Sequence, residues 1–247
     1  MNQNLSLLNK ANKNNLVIEP YPYIVINDAL DEDLYSELES CYPSDEEISG
    51  TSSMENNTRY QISAKDKNKL PEIWQDFVDF HSSSEFYKQF IGLFGEHLPT
   101  RLSWAKNSQT YTRKLQQPRT PSDISLDCQV GINSPVKYES SVKGAHVDNR
   151  VELYAGLFYM KQDGDTSEGG NLEIFKPKEP KMPIIHKQVI ERELLEKVDE
   201  VIYGRNTFVI FLCSKYSIHG VSPRCVTDYS RRLVNVIAEF SAGRACF

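Results

Sequence analysis

Beyond Pro99 the chain loses helical periodicity and breaks into short runs rich in β-branched and aromatic residues. Turn signals such as Asp163-Gly164-Asp165 and Gly169-Gly170 separate these runs. The runs that predict strands are residues 101–104, 126–132, 154–160, 171–175, 207–212 and 233–237. Many short strands in series after an initial helical block predict a double-sheet jelly roll.

The part before Pro99 predicts one strand followed by helices. Residues 17–28 are β-branched and aromatic but contain two prolines, which is typical of an edge strand. The acidic residues 31–33 suit the positive end of a helix dipole, and residues 74–78 carry an apolar helical stripe. Ser83-Ser84 can cap a further helix. We expect an α+β, mostly β fold, in which N-terminal helices pack on one sheet of a double-stranded β-helix (jelly roll).

The length of 247 residues favours one domain over two. We expect a strand-and-helix support block at about 1–100 and a jelly-roll core at about 101–247. Polar residues 44–68 predict a surface loop, with a lid as the alternative. Residues 176–200 predict a Lys/Pro-rich loop, followed by a stretch that is ambiguous between a helix and charged strands. His81 and His97 are expected to cap helices or to be solvated.

Composition narrows the class of protein. The net charge is −6, and Lys and Arg are scattered instead of forming a basic stripe, which argues weakly against nucleic acid as a substrate. No apolar stretch suits a secretory signal or a membrane span. The five cysteines form no C-x-x-C pair, so we expect reduced thiols, without a zinc ribbon or a disulfide framework. A soluble, cytoplasmic protein is expected, and the oligomeric state stays open.

A possible metal site is the strongest chemical signal. His146 and Asp148 are two positions apart, so on an extended segment both side chains point to the same face. A second imidazole, His219, follows far along the chain. Two neutral histidines and one carboxylate form the facial triad of non-haem Fe(II) oxygenases.

The ordered set of motifs in this region resembles the Fe(II)/2-oxoglutarate-dependent dioxygenases, and most closely their prolyl-hydroxylase-like branch. The motifs are HVDN at 146–149, FYM at 158–160, GGNL at 169–172, the apolar run that ends at Leu212, HGVSP at 219–223 and the arginine pair 231–232. The resemblance covers roughly residues 125–240. It implies that His146, Asp148 and His219 bind Fe(II) and form the catalytic centre. It also implies 2-oxoglutarate and O2 as co-substrates, with ascorbate as an optional reductant.

Such enzymes hold the distal C5 carboxylate of 2-oxoglutarate with an Arg or Lys on the strand after the second histidine, and the planar fork of Arg suits that task. Arg231 and Arg232 are the candidates. Strand alternation puts Arg231 on one face with Leu233 and Asn235, whereas Arg232 shares the other face with Val234 and apolar residues beyond it. We favour Arg231, although its interval from His219 is slightly longer than usual in the family and implies a longer turn.

Three further residues are candidates for the pocket. Tyr159 matches the position at which prolyl-hydroxylase-like enzymes place a tyrosine hydroxyl on the same carboxylate, and a core aromatic is the alternative. Leu157 would line the pocket on the same face, and Tyr138 is a weaker candidate. Gly169-Gly170 is expected to form a tight turn with positive φ.

We therefore expect a dioxygenase that hydroxylates a C–H bond of a peptidyl (prolyl) or small-molecule substrate, with release of succinate and CO2. Alkylated nucleic acid is a lesser option. Two alternatives stay open: a non-catalytic, cupin-like jelly-roll module that binds a metal or ligand, and a zinc hydrolase on the same three residues, although the H-E-x-x-H pattern is absent.

Overall fold

Most of the strands predicted beyond Pro99 are present in the structure, a computed structural model that describes residues 5–113, 123–179 and 188–240. The strands are Tyr23–Ile26 (β1), Arg59–Ile62 (β2), Thr110–Thr112 (β3), Ile124–Asn133 (β4), Glu152–Tyr159 (β5), Leu172–Pro177 (β6), Leu195–Val201 (β7), Thr207–Leu212 (β8), Ile218–Val221 (β9) and Arg231–Phe240 (β10). The helices are Glu32–Ser40 (α1), Asp45–Ser49 (α2), Glu72–His81 (α3) and Ser84–Phe94 (α4). Short 3-10 helices cover Lys13–Asn15, Ala64–Lys69, Gly95–His97, Thr100–Asn107 and Arg192–Leu194.

The strands form two sheets. The larger sheet has the order β1-β8-β5-β10-β4-β2, in which all neighbours are antiparallel, and β3 joins β4 in parallel. The smaller sheet has the order β7-β6-β9. The segment at His146 pairs with β9 at His219 and so extends the smaller sheet. The predicted jelly roll, mostly β with N-terminal helices, is confirmed.

Strand alternation divides the large sheet into two faces. One face packs against the helices, where Phe158 of β5 meets Tyr35 of α1 and Phe77 of α3 with ring centroids 6.2 and 6.1 Å apart. The opposite face turns toward the smaller sheet, and Tyr159 and Leu233 lie there in a second apolar cluster. One face therefore anchors the helices, and the other is free to build a cavity between the sheets.

Several local predictions were wrong. Residues 44–68 are not a loop, because they contain α2, β2 and a 3-10 helix, and β2 pairs with β4. Residues 101–104 lie in a 3-10 helix and not in a strand. His81 is fully buried, whereas we expected it to be capping or solvated.

Other predictions hold. β1 is an edge strand, and Ser83 caps α4 by accepting hydrogen bonds from Glu85 N and Phe86 N. Cys41, Cys128, Cys213 and Cys225 are free thiols, while Cys246 and His186 lie outside the described residues. Within ranges 5–113, 123–179 and 188–240, no helix is long and apolar enough to cross a membrane.

Candidate metal centre and its cavity

His146, Asp148 and His219 lie together between the two sheets. His146 Nε2 is 3.3 Å from Asp148 Oδ1, and His219 Nε2 is 3.4 Å from Asp148 Oδ2. One ligand atom from each residue can be chosen so that all lie within 4.8 Å of one another. Val147, between the first two residues, is buried in a separate apolar cluster, so His146 and Asp148 share the opposite side of an extended segment as the sequence predicts.

The backbone orients both imidazoles. His146 Nδ1 lies 2.8 Å from the Gly144 carbonyl oxygen, and His219 Nδ1 lies 3.0 Å from that of Ser217. A carbonyl oxygen can only accept, so each Nδ1 carries the proton and donates. Each Nε2 is then left with its lone pair directed toward Asp148. Metal-binding histidines are commonly held in this way through their other ring nitrogen.

Burial and charge set the protonation states of this cluster. Burial lowers the pKa of His219 to about 4, despite the attraction of Asp148. Burial alone would raise the pKa of Asp148, but the adjacent His219 and His146 hold that pKa well below its ordinary value. A neutral imidazole beside an ionised carboxylate is the donor set that a divalent cation requires.

A cavity of about 330 Å³ opens onto the three residues. Leu157 contributes to its wall, together with Asn235 and Ile237 of β10. A larger groove of about 540 Å³ lies beside α4 at Lys88 and Lys106. None of the metal-ligand clusters found among the described residues borders that groove, so the smaller cavity is the candidate site.

Arg231 lies on the face predicted for it and is fully buried. Its Nε donates to the Gly170 carbonyl at 2.8 Å, and its Nη1 donates to Asn133 Oδ1 at 3.1 Å. Its Nη2 has no hydrogen-bond partner among the described residues. The guanidinium group lies 4.7 Å from the ring centroid of Tyr159. Two nitrogens of the Arg231 guanidinium therefore fix the side chain, and the third is available.

The Tyr159 hydroxyl is the second available group. It is buried without a hydrogen-bond partner of good geometry in the described part of the chain. Burial raises the pKa of this hydroxyl, against the effect of Arg231. An orphaned buried donor costs free energy unless something satisfies it. Arg231 Nη2 and Tyr159 Oη together would satisfy one carboxylate.

The other candidates for the pocket lie elsewhere. Arg232 occupies the opposite face, with its guanidinium 4.7 Å from the Tyr42 ring centroid. Tyr138 is 66% exposed and does not line the cavity, so its assignment to the pocket was wrong. The segment around Tyr138 turns away because Val136 and Ser140 pair with Thr227 and Arg224.

Gly169 and Gly170 form the predicted turn, with φ of 80° and 74°. A Cβ on Gly169 would lie 1.8 Å from the Pro223 carbonyl oxygen, and one on Gly170 would lie 3.2 Å from Arg231 Cδ. Close by, the buried Arg224 Nη2 donates to Asp165 Oδ2 at 2.7 Å. This turn lets the backbone approach Arg231 closely enough to accept its hydrogen bond.

Sequence reasoning missed residues that only the folded chain brings to the cavity. Arg59 comes from the segment that we expected to be a loop, and Lys143 and Glu152 flank the metal cluster. Burial, and then Asp148, raises the pKa of Glu152 to about 8, so its carboxyl group is mostly neutral at pH 7. The alternation of Arg59 and Gln61 with Tyr60 and Ile62 was the available signal, because it is typical of a short strand.

Comparisons with known proteins bear on the fold. No protein-family model and no curated protein matches the sequence. Among solved structures, a prolyl 4-hydroxylase from Phytophthora capsici aligns with 90% of this chain and 60% of its own, at 16% identity and a TM-score of 0.50. A Pseudomonas putida prolyl-4-hydroxylase aligns with 89% of this chain and 92% of its own, at 12% identity and a TM-score of 0.51. A bsmA homologue from Methylobium petroleophilum aligns with 90% of this chain and 91% of its own, at 12% identity and a TM-score of 0.52.

These similarities confirm the resemblance at the level of the fold. This chain has the jelly-roll fold of prolyl 4-hydroxylase structures, although it spans only 60% of the Phytophthora capsici protein. At such low identity, the chemistry must be argued from the residues of this chain.

Proposed function

We propose that this protein is an Fe(II)- and 2-oxoglutarate-dependent dioxygenase that hydroxylates a C–H bond of a peptidyl or small-molecule substrate. The observation that carries the proposal is the combination of two features between the same sheets. One is the oriented His146, Asp148 and His219 cluster, and the other is the pair of buried, unsatisfied donors on Arg231 and Tyr159. The chain would act as a single oxygenase domain.

The three residues fit Fe(II). Both Nδ1 atoms lie against backbone carbonyls, so both Nε2 atoms face the Asp148 carboxylate and can bind a cation beside it. Two neutral imidazoles and one carboxylate leave the remaining positions of an octahedral ion open. In this proposal His146, Asp148 and His219 hold the metal, and the Gly144 and Ser217 carbonyls keep the rings in place.

Arg231 and Tyr159 fit the C5 carboxylate of 2-oxoglutarate. That carboxylate needs a buried cation with a free donor, which Arg231 Nη2 supplies, and a second donor, which the Tyr159 hydroxyl supplies. Asn133 and Gly170 accept hydrogen bonds from the other two nitrogens of Arg231, so its orientation is set before the ligand arrives. Fixed groups of this kind reduce the entropy that binding costs.

When bound, Fe(II), 2-oxoglutarate and O2 supply the oxidising chemistry, with succinate and CO2 as co-products. The chain's own residues bind and orient the metal and the co-substrate, and they shield the cavity from water. Leu157, Phe211 and Ile237 give the cavity an apolar wall that limits access of water. A prolyl peptide is one candidate substrate, supported by the names of the two prolyl 4-hydroxylases that share the fold, and a small molecule is the other.

The test is an anaerobic titration of the metal-free protein with Fe(II) and 2-oxoglutarate, monitoring the weak visible charge-transfer band that forms when the co-substrate chelates the iron. We expect the band in the wild type. Arg231→Gln should need at least about tenfold more 2-oxoglutarate, because it loses a charge-assisted contact. Arg232→Gln is the matched control, since its side chain lies on the other face. Iron binding without the band would instead favour a metal-binding module or a zinc site.

A further inference from the structure

Arg59 is a second arginine on the cavity side of the large sheet. In the sheet register, Arg59 of β2 lies opposite Asn133 of β4, and Asn133 lies opposite Arg231 of β10. The three side chains therefore lie in one row on the same face. Arg59 lines the cavity that holds His146, Asp148 and His219, whereas Arg231 is fully buried beside it in the row.

The guanidinium of Arg59 is available for a ligand. Its Nε is buried without a hydrogen-bond partner, and within the described ranges no ion pair or side-chain hydrogen bond involves the guanidinium group of Arg59. Its terminal nitrogens are not among the buried unsatisfied atoms, and Arg59 lines the cavity. Burial, and then Arg231, lowers the pKa of Arg59 to about 10, so it stays charged at neutral pH.

The charges of the cavity leave Arg59 without a partner after the proposed ligands are bound. The metal would be balanced by Asp148 and by the chelating carboxylate of 2-oxoglutarate, and the distal carboxylate would be balanced by Arg231. Glu152 contributes at most one negative charge. Lys143 at the rim adds a further positive charge. A cavity with this surplus attracts an anion.

We propose that Arg59 binds a carboxylate group of the substrate, which places the substrate among small organic acids; this inference rests on the proposed function. The planar fork of Arg59 can bind a carboxylate with two parallel hydrogen bonds. A volume of about 330 Å³ is at the small end of the range for ligand pockets, roughly 300–1,000 Å³, which also favours a small acid over a peptide.

The experiment measures binding without turnover. The protein is loaded with Mn(II) and 2-oxoglutarate in the absence of O2, and acetate or acetamide is added as a charged and a neutral probe of the same shape. Paramagnetic relaxation of the probe's methyl protons by Mn(II) reports binding near the metal. Wild type, Arg59→Gln and Arg59→Lys are compared, and thermal melting checks that each variant is folded.

We expect acetate to bind the wild type in preference to acetamide, and to bind Arg59→Gln about tenfold or more weakly. Arg59→Lys should be intermediate, because it keeps the charge but loses the fork. Binding of acetamide should be equal in all three proteins. Equal behaviour of the two probes, or equal acetate binding in wild type and Arg59→Gln, would overturn the inference.

The same variants separate this inference from the proposed function. If the Fe(II) and 2-oxoglutarate band forms equally in wild type and Arg59→Gln while acetate binding differs, Arg59 serves the substrate. If Arg59→Gln requires as much extra 2-oxoglutarate as Arg231→Gln, Arg59 belongs to the co-substrate site, and the inference fails while the proposed function stands. If the wild type gives no band, the proposed function itself fails.

Discussion

His146 and His219 exchange a pair of backbone hydrogen bonds, with His146 N donating to His219 O at 2.8 Å and His219 N donating to His146 O at 3.0 Å. These bonds join two segments that are far apart in sequence. The centroids of the two imidazole rings are 4.4 Å apart. The positions of the two proposed metal ligands are thus tied to each other by a backbone β-bridge. A rigid backbone of this kind supports a preorganised metal site.

Replacing His219 by Ala should abolish Fe(II) binding and iron-dependent succinate formation. Loss of an outer-shell partner of a metal ligand typically lowers affinity by roughly 10–100-fold, and loss of the ligand itself should cost more. Metal content after dialysis and succinate release are the measurements. His97→Ala is the control, because His97 lies in the 3-10 helix after α4, outside the cavity. Full turnover by His219→Ala would remove His219 from the site.

Gly170→Ala should weaken 2-oxoglutarate binding, whereas Gly50→Ala, which is expected to lower the stability of the fold by a similar amount, should not. Both Gly170 and Gly50 have positive φ, 74° and 68°, so Ala at either costs roughly 1–2 kcal/mol of backbone strain. At Gly170 the added Cβ would also press on Arg231 Cδ and Nε at 3.2 Å, whereas at Gly50 nothing lies within 4 Å. Urea unfolding should give similar losses for the two variants, and only Gly170→Ala should shift the 2-oxoglutarate titration. An equal titration for both variants would show that the Gly170 turn does not position Arg231.

The face of Arg231 was predictable because it depends on local alternation. Along β10, the residues Arg231, Leu233 and Asn235 fall on one side whatever the strand pairs with. Val234, Val236 and Ala238 on the other side belong to the apolar core that includes the helices. The spacing of His146 and Asp148 works in the same way. Periodicity therefore predicted the orientation of those site residues that lie within one strand or one extended segment.

Arg59 could not be assigned to the cavity from sequence. Strand β2 spans only Arg59–Ile62 within a polar stretch, and its pairing partner β4 lies far along the chain, so its location depends on a non-local contact. The prediction that Tyr138 belongs to the pocket was wrong for the opposite reason. It is close to His146 in sequence, but the residues on either side of it, Val136 and Ser140, pair with Thr227 and Arg224. Although Tyr138 is near His146 along the chain, it therefore does not lie in the cavity.

Asp165→Ala should destabilise the protein strongly. The Asp165 and Arg224 side chains are 0% and 1% exposed and are joined by a hydrogen bond of 2.7 Å, so removing one partner leaves a buried charge unpaired. Such losses typically cost about 3–5 kcal/mol. Glu196→Ala is the control, because its ion pair with Lys176 is 54% and 46% exposed and should contribute about 1 kcal/mol or less. Urea unfolding measures the free energy of unfolding that each variant loses. Equal losses for Asp165→Ala and Glu196→Ala would show that the buried pair contributes no more to stability than the exposed one.

The stability of the fold should fall in mild acid because of His81, which lies far from the metal cluster. Leu7 N donates to His81 Nε2 at 3.2 Å, and His81 Nδ1 lies 2.8 Å from the Phe77 carbonyl oxygen, so the neutral ring has both nitrogens satisfied. Burial lowers the pKa of His81 from 6.5 to about 3. Between these values the unfolded chain binds a proton that the folded chain does not, so unfolding becomes easier as the pH falls.

This single proton should contribute a slope of about 1.4 kcal/mol per pH unit to the free energy of unfolding below pH 6.5, and nothing above it. Urea unfolding of wild type and His81→Gln at several values between pH 4.5 and 7.5 measures the slope. His81→Gln should be less stable than wild type at pH 7.5, because it disturbs a packed site, yet its stability should depend less on pH by about that slope. His97→Gln, at a partly exposed ring, is the control for the substitution of an imidazole by an amide. Parallel curves for wild type and His81→Gln would mean that the His81 ring gains its proton without loss of the native packing.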